Sequence, residues 1–235
     1  MPAGPSAFLY DDGVRRARLS QPSTRVLSTW RPAAVIPVRG LEAAKTRLGE
    51  ALDPEERASL VRDLLTATVA ALRRLEIPTW VVSPDPAVLQ VAAEGGAAPL
   101  RQEEGDLNGA LRLGREAAQQ AGATVLLVVP ADLPAVTGGS LEEVLSAARQ
   151  AAATGERLVL LVPDRRGDGT NLLVLSPPDV VEFAFGPGSR ARHRAAAAAA
   201  GARYLEVEGP LGLDLDTADD LVQAEPFLLA ALHDH

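Results

Sequence analysis

The chain has no cysteine, three histidines, one methionine, two tryptophans, two tyrosines and four phenylalanines in 235 residues. Without cysteine there are no disulfides, thiolate metal sites or cysteine nucleophiles. With so few aromatics the core has to be aliphatic, built from Leu, Val and Ala. No apolar run reaches the length of a membrane span. The first residues lack the continuous apolar stretch of a signal peptide, so the expected location is the cytoplasm. An excess of positive charge is missing too. The net charge of −8 argues against a dedicated nucleic-acid binder and against docking on an anionic membrane. Neither GxGxxG nor GxxxxGK[ST] occurs, which argues against dinucleotide oxidoreductases and P-loop ATPases. His193, His233 and His235 show no metal-ligand spacing, and no GxSxG nucleophile turn is present.

What is present is alternation. Residues 33–38 read as a buried strand, and Leu60, Leu64, Leu65, Val69 and Leu72 recur at helical spacing over about 54–75. Asp53-Pro54 is a good helix start, with proline at the first helical position. Further strands are expected at 79–83, 124–129, 158–162, 171–175 and 204–207. Helices are expected from Pro86, near Asn108, at about 139–153, at 190–200 and from Thr217 onward. Strands alternating with helices imply a three-layer α/β/α, Rossmann-like domain with a mostly parallel sheet. The tight pair around DGTN suggests a small antiparallel insertion. Residues 1–30 show no period and read as a mobile extension; residues 31–235 read as one domain of that α/β class.

Several clusters are placed for chemistry. Arg39, Lys45 and Arg47 follow the first strand directly, where cations can grip an anion in the crevice beyond the sheet's carboxyl edge. This pattern, without a glycine-rich phosphate loop, points towards a nucleotidyltransferase. Asp132 follows the strongest apolar strand; it suits Mg²⁺ on a triphosphate, or equally a turn or helix cap. Asp214 and Asp216 lie two apart, so in an extended segment they face one way. With Asp132 they would form a hard-oxygen site for one or two Mg²⁺; the plainer alternative is that Asp216 caps the helix after it. The turn GDGTN, with Thr170, can present amides to an anion or serve as a simple hairpin turn. FGPGS, with Gly186 and Ser189, reads as a helix start with a serine cap, and a helix start is also a phosphate site. Asn108 has two roles open to it, contacting a base or ribose, or capping a helix.

Together these segments resemble the phosphoenolpyruvate / 2-phospho-L-lactate guanylyltransferase family of coenzyme F-420 biosynthesis. The resemblance covers about residues 32–228, through IPVRGLEAAKTRL, LNGAL, ADLP, PDRRGDGTN, FGPGSRARH and LDLDTADDL in that order. It implies a nucleotidyltransferase-type domain, GTP as donor and Mg²⁺ as cofactor. By position, it implies that Asp132, Asp214 and Asp216 handle metal and that Lys45 with neighbouring cations neutralises the triphosphate. It further implies that Thr170, Gly186 and Ser189 hold the phosphate of a three-carbon acid. Family members usually carry Lys-Pro where this chain has Arg39-Gly40, and Arg and Lys present their donors differently.

The reaction so implied joins the acceptor phosphate to the α-phosphorus of GTP and expels diphosphate. A phosphate monoester is already largely ionised near neutral pH, so no general base is required. Competing readings are a nucleotidyltransferase for a sugar phosphate or molybdenum-type cofactor, a family-A glycosyltransferase, and a regulatory module that binds nucleotide without turnover. The acceptor, whether phosphoenolpyruvate, 2-phospholactate or 3-phosphoglycerate, and the oligomeric state, a homodimer included, are left open by the sequence.

Overall fold

The computed structural model describes residues 9–10, 30–41, 48 and 52–233. The strands are β1 (Leu9–Tyr10), β2 (Pro32–Pro37), β3 (Thr79–Ser83), β4 (Ala98–Arg101), β5 (Val125–Val128), β6 (Leu158–Pro163), β7 (Thr170–Ser176) and β8 (Arg203–Val207). The helices are α1 (Pro54–Arg74), α2 (Pro86–Gly95), α3 (Leu107–Gln120), α4 (Gly138–Ala151), α5 (Ser189–Ala199) and α6 (Ala218–His233). The strands form one sheet in the order β1-β8-β6-β7-β5-β2-β3-β4.

Period-two alternation divides the central strands between two cores. In β2, Ala34 and Ile36 join one apolar cluster, while Ala33 and Val35 join the other. In β5, Leu127 joins the first, and Leu126 and Val128 join the second. A strand buried on both faces reads as a continuous apolar run, which is how β5 looks in the sequence. The first core takes its helical side chains from α1, α2 and α4, including Leu65, Val88 and Leu141. The second takes Leu111 from α3 and Ala197 from α5. The α/β/α sandwich follows from that division. On α1, Leu64 belongs to a third, smaller cluster with Leu215 and Ala224, against which Leu221 of α6 packs.

Local chemistry fixes the helix ends. Before α1, Asp53 accepts from Glu56 N at 2.9 Å and Glu56 accepts from Asp53 N at 2.8 Å, a reciprocal capping box. Asp85 caps α2 by accepting from Ala87 N, and its other oxygen accepts from Leu41 N at 3.0 Å. That second bond ties the loop after β2 to the start of α2. Gly114 of α3 lies against Val35; a Cβ at Gly114 would come within 2.4 Å of Val35 Cγ1. Glycine weakens a helix interior, and here it lets α3 lie close on β2.

β2, β3, β4 and β5 run parallel, whereas β7 is antiparallel to both β5 and β6. The antiparallel insertion expected around DGTN is therefore a strand within the sheet. Two strands were not foreseen. β4 is short and mostly exposed, so its apolar signal is weak. Leu9–Tyr10 pairs antiparallel with Val207 and Glu206 at the edge of the sheet, within the stretch read as a mobile extension. The rest of residues 1–29 lie outside the described residues.

Candidate active site

The parallel strands β2, β3 and β5 end at one edge of the sheet, and a cavity of about 340 Å³ opens there. Arg39 enters it from beyond β2, Pro84 from beyond β3, and Pro130 and Asp132 from beyond β5. This is the crevice in which open α/β sheets bind ligands. Val82, Val128, Leu107 and Phe185 give it an apolar wall, and Gln102 adds a polar group. Leu107 is 40% exposed, so its apolar side chain is presented to whatever fills the cavity. Leu107 and Phe185 belong to LNGAL and FGPGS, segments marked from sequence without a role for either residue, and Gln102 belongs to no motif. Only the packing of α3 and the 185 segment onto the crevice places the three there. Lys45 and Arg47 lie outside the described residues.

Asn108 does not cap α3. Asp106 does, accepting from Gly109 N at 2.8 Å. The Asn108 amide instead pairs with the backbone of Phe185, accepting from its N–H at 2.9 Å and donating to its carbonyl at 3.4 Å. Both ends of the amide are engaged, so Asn108 bears on the cavity by fixing Phe185.

Beside Asp132, the backbone N–H of Leu215 donates to the Asp132 carbonyl at 3.1 Å. Leu215 is buried between the half-buried Asp214 and Asp216. Asp216 does not cap α6. Thr217 and Asp220 form the cap: Asp220 Oδ2 accepts from Thr217 N at 2.8 Å, Thr217 Oγ1 at 2.8 Å and Asp216 N at 3.1 Å. Arg165 reaches the other oxygen of Asp220 at 2.7 Å. Burial pushes the Asp220 carboxyl up, but the Thr217 and Asp216 donors and Arg165 outweigh it and hold it below its usual range.

Asp132, Asp214 and Asp216 are thus brought to neighbouring backbone. Among the described residues, however, no three His, Cys, Asp or Glu side chains gather into a cage for an ion. Like-charged carboxylates repel when no cation lies between them. Mg²⁺ seldom needs such a cage; it is held by one or two carboxylates together with substrate phosphates and water. Asp132 on the cavity wall, with the bonded 214–216 segment beside it, fits that donor set.

The GDGTN turn and the start of α5 form a second cluster. Asp164 Oδ1 accepts from Asp168 N and Gly169 N, both at 2.9 Å. Those amides face the protein's own carboxylate, so the expected anion nest is closed at these two positions. Gly188 N donates to Asp168 Oδ2 at 2.8 Å. Gly186, with φ +116°, holds a backbone shape that side chains with a Cβ rarely adopt. Ser189 is not the helix cap, a position that Gly188 takes. Ser189 is the first helical residue and is buried, and its hydroxyl donates to Thr170 Oγ1 at 3.0 Å. The arginines that follow are not simply solvated. Arg190 grips Glu206 with two bonds, at 2.9 and 2.6 Å, and Arg194 joins it at 3.3 Å. Arg192 donates to the Ala184 carbonyl.

The comparisons with known proteins bear on this geometry. The model of the family described as "Guanylyl transferase CofC like" matches residues 32–227. The chain belongs to this family. A phosphoenolpyruvate guanylyltransferase of Sphaerobacter thermophilus is 46% identical over 192 residues, covering 80% of this chain and 89% of that protein. A protein of the same name from Rubrobacter xylanophilus is 43% identical over 194 residues, with 82% and 92% covered. A solved nucleotidyl transferase of Methanothermobacter thermautotroptrophicus superposes with a TM-score of 0.59 at 17% identity, covering 85% of this chain and 99% of that one. At that identity the likeness concerns the fold, and it is the nucleotidyltransferase fold expected from the sequence. The matched span takes in the whole crevice, from β2 to α6. The chain is an enzyme of the guanylyltransferase class. Among the described residues no helix is long and apolar enough to cross a membrane.

Proposed function

We propose that this chain joins the guanylyl group of GTP to phosphoenolpyruvate, with release of diphosphate, in the biosynthesis of coenzyme F-420. The observation that carries the reading is the crevice at the carboxyl edge of β2 and β5, with Arg39 and Asp132 on its walls, in a chain 46% identical to a protein named phosphoenolpyruvate guanylyltransferase. An oxygen of the acceptor phosphate attacks the α-phosphorus of GTP. The new phosphorus–oxygen bond forms as the bond between the α-phosphorus and its bridging oxygen breaks, and diphosphate leaves with the electron pair. The nucleophile is already an anion, so no side chain has to remove a proton.

The remaining difficulty is the meeting of two polyanions, and charge neutralisation with positioning answers it. Arg39, Lys45 and Arg47 are assigned to the triphosphate. The apolar wall of Leu107 and Phe185 suits the flat face of a base, with Asn108 fixing Phe185. Thr170, Gly186 and Ser189 are assigned to the acceptor. Asp132, Asp214 and Asp216 are the residues that would hold Mg²⁺. When bound, Mg²⁺ supplies positive charge to the reacting phosphates. The enzyme works in the cytoplasm on small molecules, without nucleic acid or membrane.

The test is incubation with GTP and Mg²⁺ and, in separate reactions, phosphoenolpyruvate, 2-phospho-L-lactate or 3-phosphoglycerate, with mass detection of product. A guanylylated phosphoenolpyruvate with equimolar diphosphate is expected. Product from 2-phospholactate alone would reassign the acceptor, and none from any of them would end the reading.

A further inference from the structure

His193 is fully buried on α5, and the reaction as written gives it no work. Its ring stands edge-on to Phe185, with ring centres 5.1 Å apart. Its Nε2 receives the backbone N–H of Ala184 at 3.1 Å, and its Nδ1 lies 3.0 Å from Thr170 Oγ1. An amide N–H can only donate, so Nε2 must carry the lone pair. A neutral imidazole then carries its proton on Nδ1, and that proton points at Thr170 Oγ1. Burial, followed by the charge of Arg192, pushes the His193 pKa down to about 4, so the ring is neutral near pH 7.

Ser189 Oγ lies 3.0 Å from Thr170 Oγ1. Buried and with no other acceptor among the described residues, the Ser189 hydroxyl directs its proton there, so Thr170 Oγ1 receives two protons, this one and that of His193 Nδ1. A hydroxyl has two lone pairs and one proton. With both lone pairs occupied, the Thr170 proton has to be directed elsewhere. Among the described residues none accepts it, and Thr170 is half-buried rather than sealed. We propose that His193 is a positioning residue for the acceptor: with Ser189, it fills the acceptor capacity of Thr170 Oγ1 and so makes the Thr170 hydroxyl a fixed donor to the acceptor's phosphate. A hydroxyl free to rotate could accept as easily as donate, and an accepting hydroxyl would repel a phosphate oxygen. The arrangement is set before the ligand arrives, which lowers the ordering cost of binding. Buried Ser189 acts by the same route, through Thr170. The inference rests on the assignment of Thr170 to the acceptor.

Two substitutions separate the two bonds of the ring. In His193→Asn the amide nitrogen falls near the Nδ1 position, keeping a donor for Thr170 and losing the acceptor for Ala184. In His193→Gln the amide reaches the Nε2 position, keeping the Ala184 bond and losing the donor. KM for phosphoenolpyruvate and for GTP, kcat and the melting temperature are measured for both variants, for Thr170→Val and for His193→Gln/Thr170→Val. His193→Gln and Thr170→Val should each raise the acceptor KM about tenfold, the worth of a hydrogen bond to a charged group. GTP KM should stay within about twofold, and the double variant should be no worse than the single ones, because residues acting through one group are not additive. His193→Asn should keep an acceptor KM near that of the wild type. The reverse order, with Asn impaired and Gln normal, or multiplicative effects in the double variant, would show a purely structural role and overturn the proposal. Wild-type protein that transfers guanylyl to no acceptor would instead refute the functional reading.

Discussion

Asp132 lines the crevice, and its backbone carbonyl ties the 214–216 segment to it. The bond from Leu215 N–H to the Asp132 carbonyl survives any change at the carboxylate. Asp132→Asn and Asp216→Asn are therefore expected to leave the melting temperature nearly unchanged while lowering turnover on the order of 10²-fold, as for other removed electrostatic stabilisers. Asp220 should behave in the opposite way. It is 3% exposed and receives the Thr217 and Asp216 donors and Arg165. Asp220→Ala leaves those groups without their acceptor, and a loss of about 1–3 kcal/mol of stability is expected. Parallel thermal melts and steady-state rates check the contrast; a stable Asp220→Ala protein, or a fully active Asp132→Asn, would break it. At this scale the sequence was only half legible. It showed that GLDLDTADDL opens a helix and carries the carboxylates proposed for the metal. It could not show that Thr217 and Asp220 make the cap, because several nearby side chains satisfy the same local rule. Ser189 was misread as a cap for the same reason. Asn108 was hidden by distance, since its partner Phe185 lies 77 residues away.

The crevice depends on how closely α3 lies against β2. Gly114 has no room for a methyl group beside Val35 Cγ1, and Val35 is fully buried in the centre of the sheet. Gly114→Ala should cost about 1–3 kcal/mol through overpacking, more than the gain in helix propensity returns. Denaturant unfolding measures it, and a stabilised variant would show that α3 can lift away freely. The edge strand β1 is the contrasting case. Among the described residues it pairs with β8 alone, and β6 and β7 separate β8 from β5 in the sheet. Deleting residues 1–28 should leave kcat and both KM values close to wild type, because the crevice lies at β2, β3 and β5. A large fall in kcat from a folded, truncated protein would show that the extension reaches the site. Long elements such as α1 were readable from period and caps; β4, with four mostly exposed residues, was not, because a strand so short presents no alternation to read.

For the whole molecule, pH is the informative variable. His193 has a pKa of about 4 when folded, against 6.5 when exposed. Below 6.5 the unfolded chain takes up a proton that the native chain refuses. Its contribution is therefore fully present above pH 6.5 and is lost as pH falls towards 4, at up to about 1.4 kcal/mol per pH unit. Glu206 is pulled below its usual 4.5, chiefly by Arg190; it adds a loss of stability at still lower pH. The net charge of −8 acts in the other sense, since its self-repulsion weakens as pH falls towards the isoelectric point. Comparing wild type with His193→Asn cancels that common term. Urea unfolding at pH 7, 6 and 5 should show the wild type losing stability more steeply than the variant; equal slopes would mean that His193 is protonated in the native state.

The sequence by itself determined the layers and the candidate segments. Apolar periods of two and of about 3.6 depend on neighbours along the chain, so the α/β/α order and the strand that leads to Asp132 could be read directly. Through what is absent, it also pointed to a site built of carboxylates, cations and hydroxyls. Only the tertiary structure decided which of these meet. Leu107 and Phe185 come to share a wall with Asp132, Asn108 pairs with Phe185, and His193 and Ser189 converge on Thr170. Each of these meetings joins elements far apart in sequence. They depend on strand order and helix packing, and those are set by the burial of the whole sheet rather than by any local pattern.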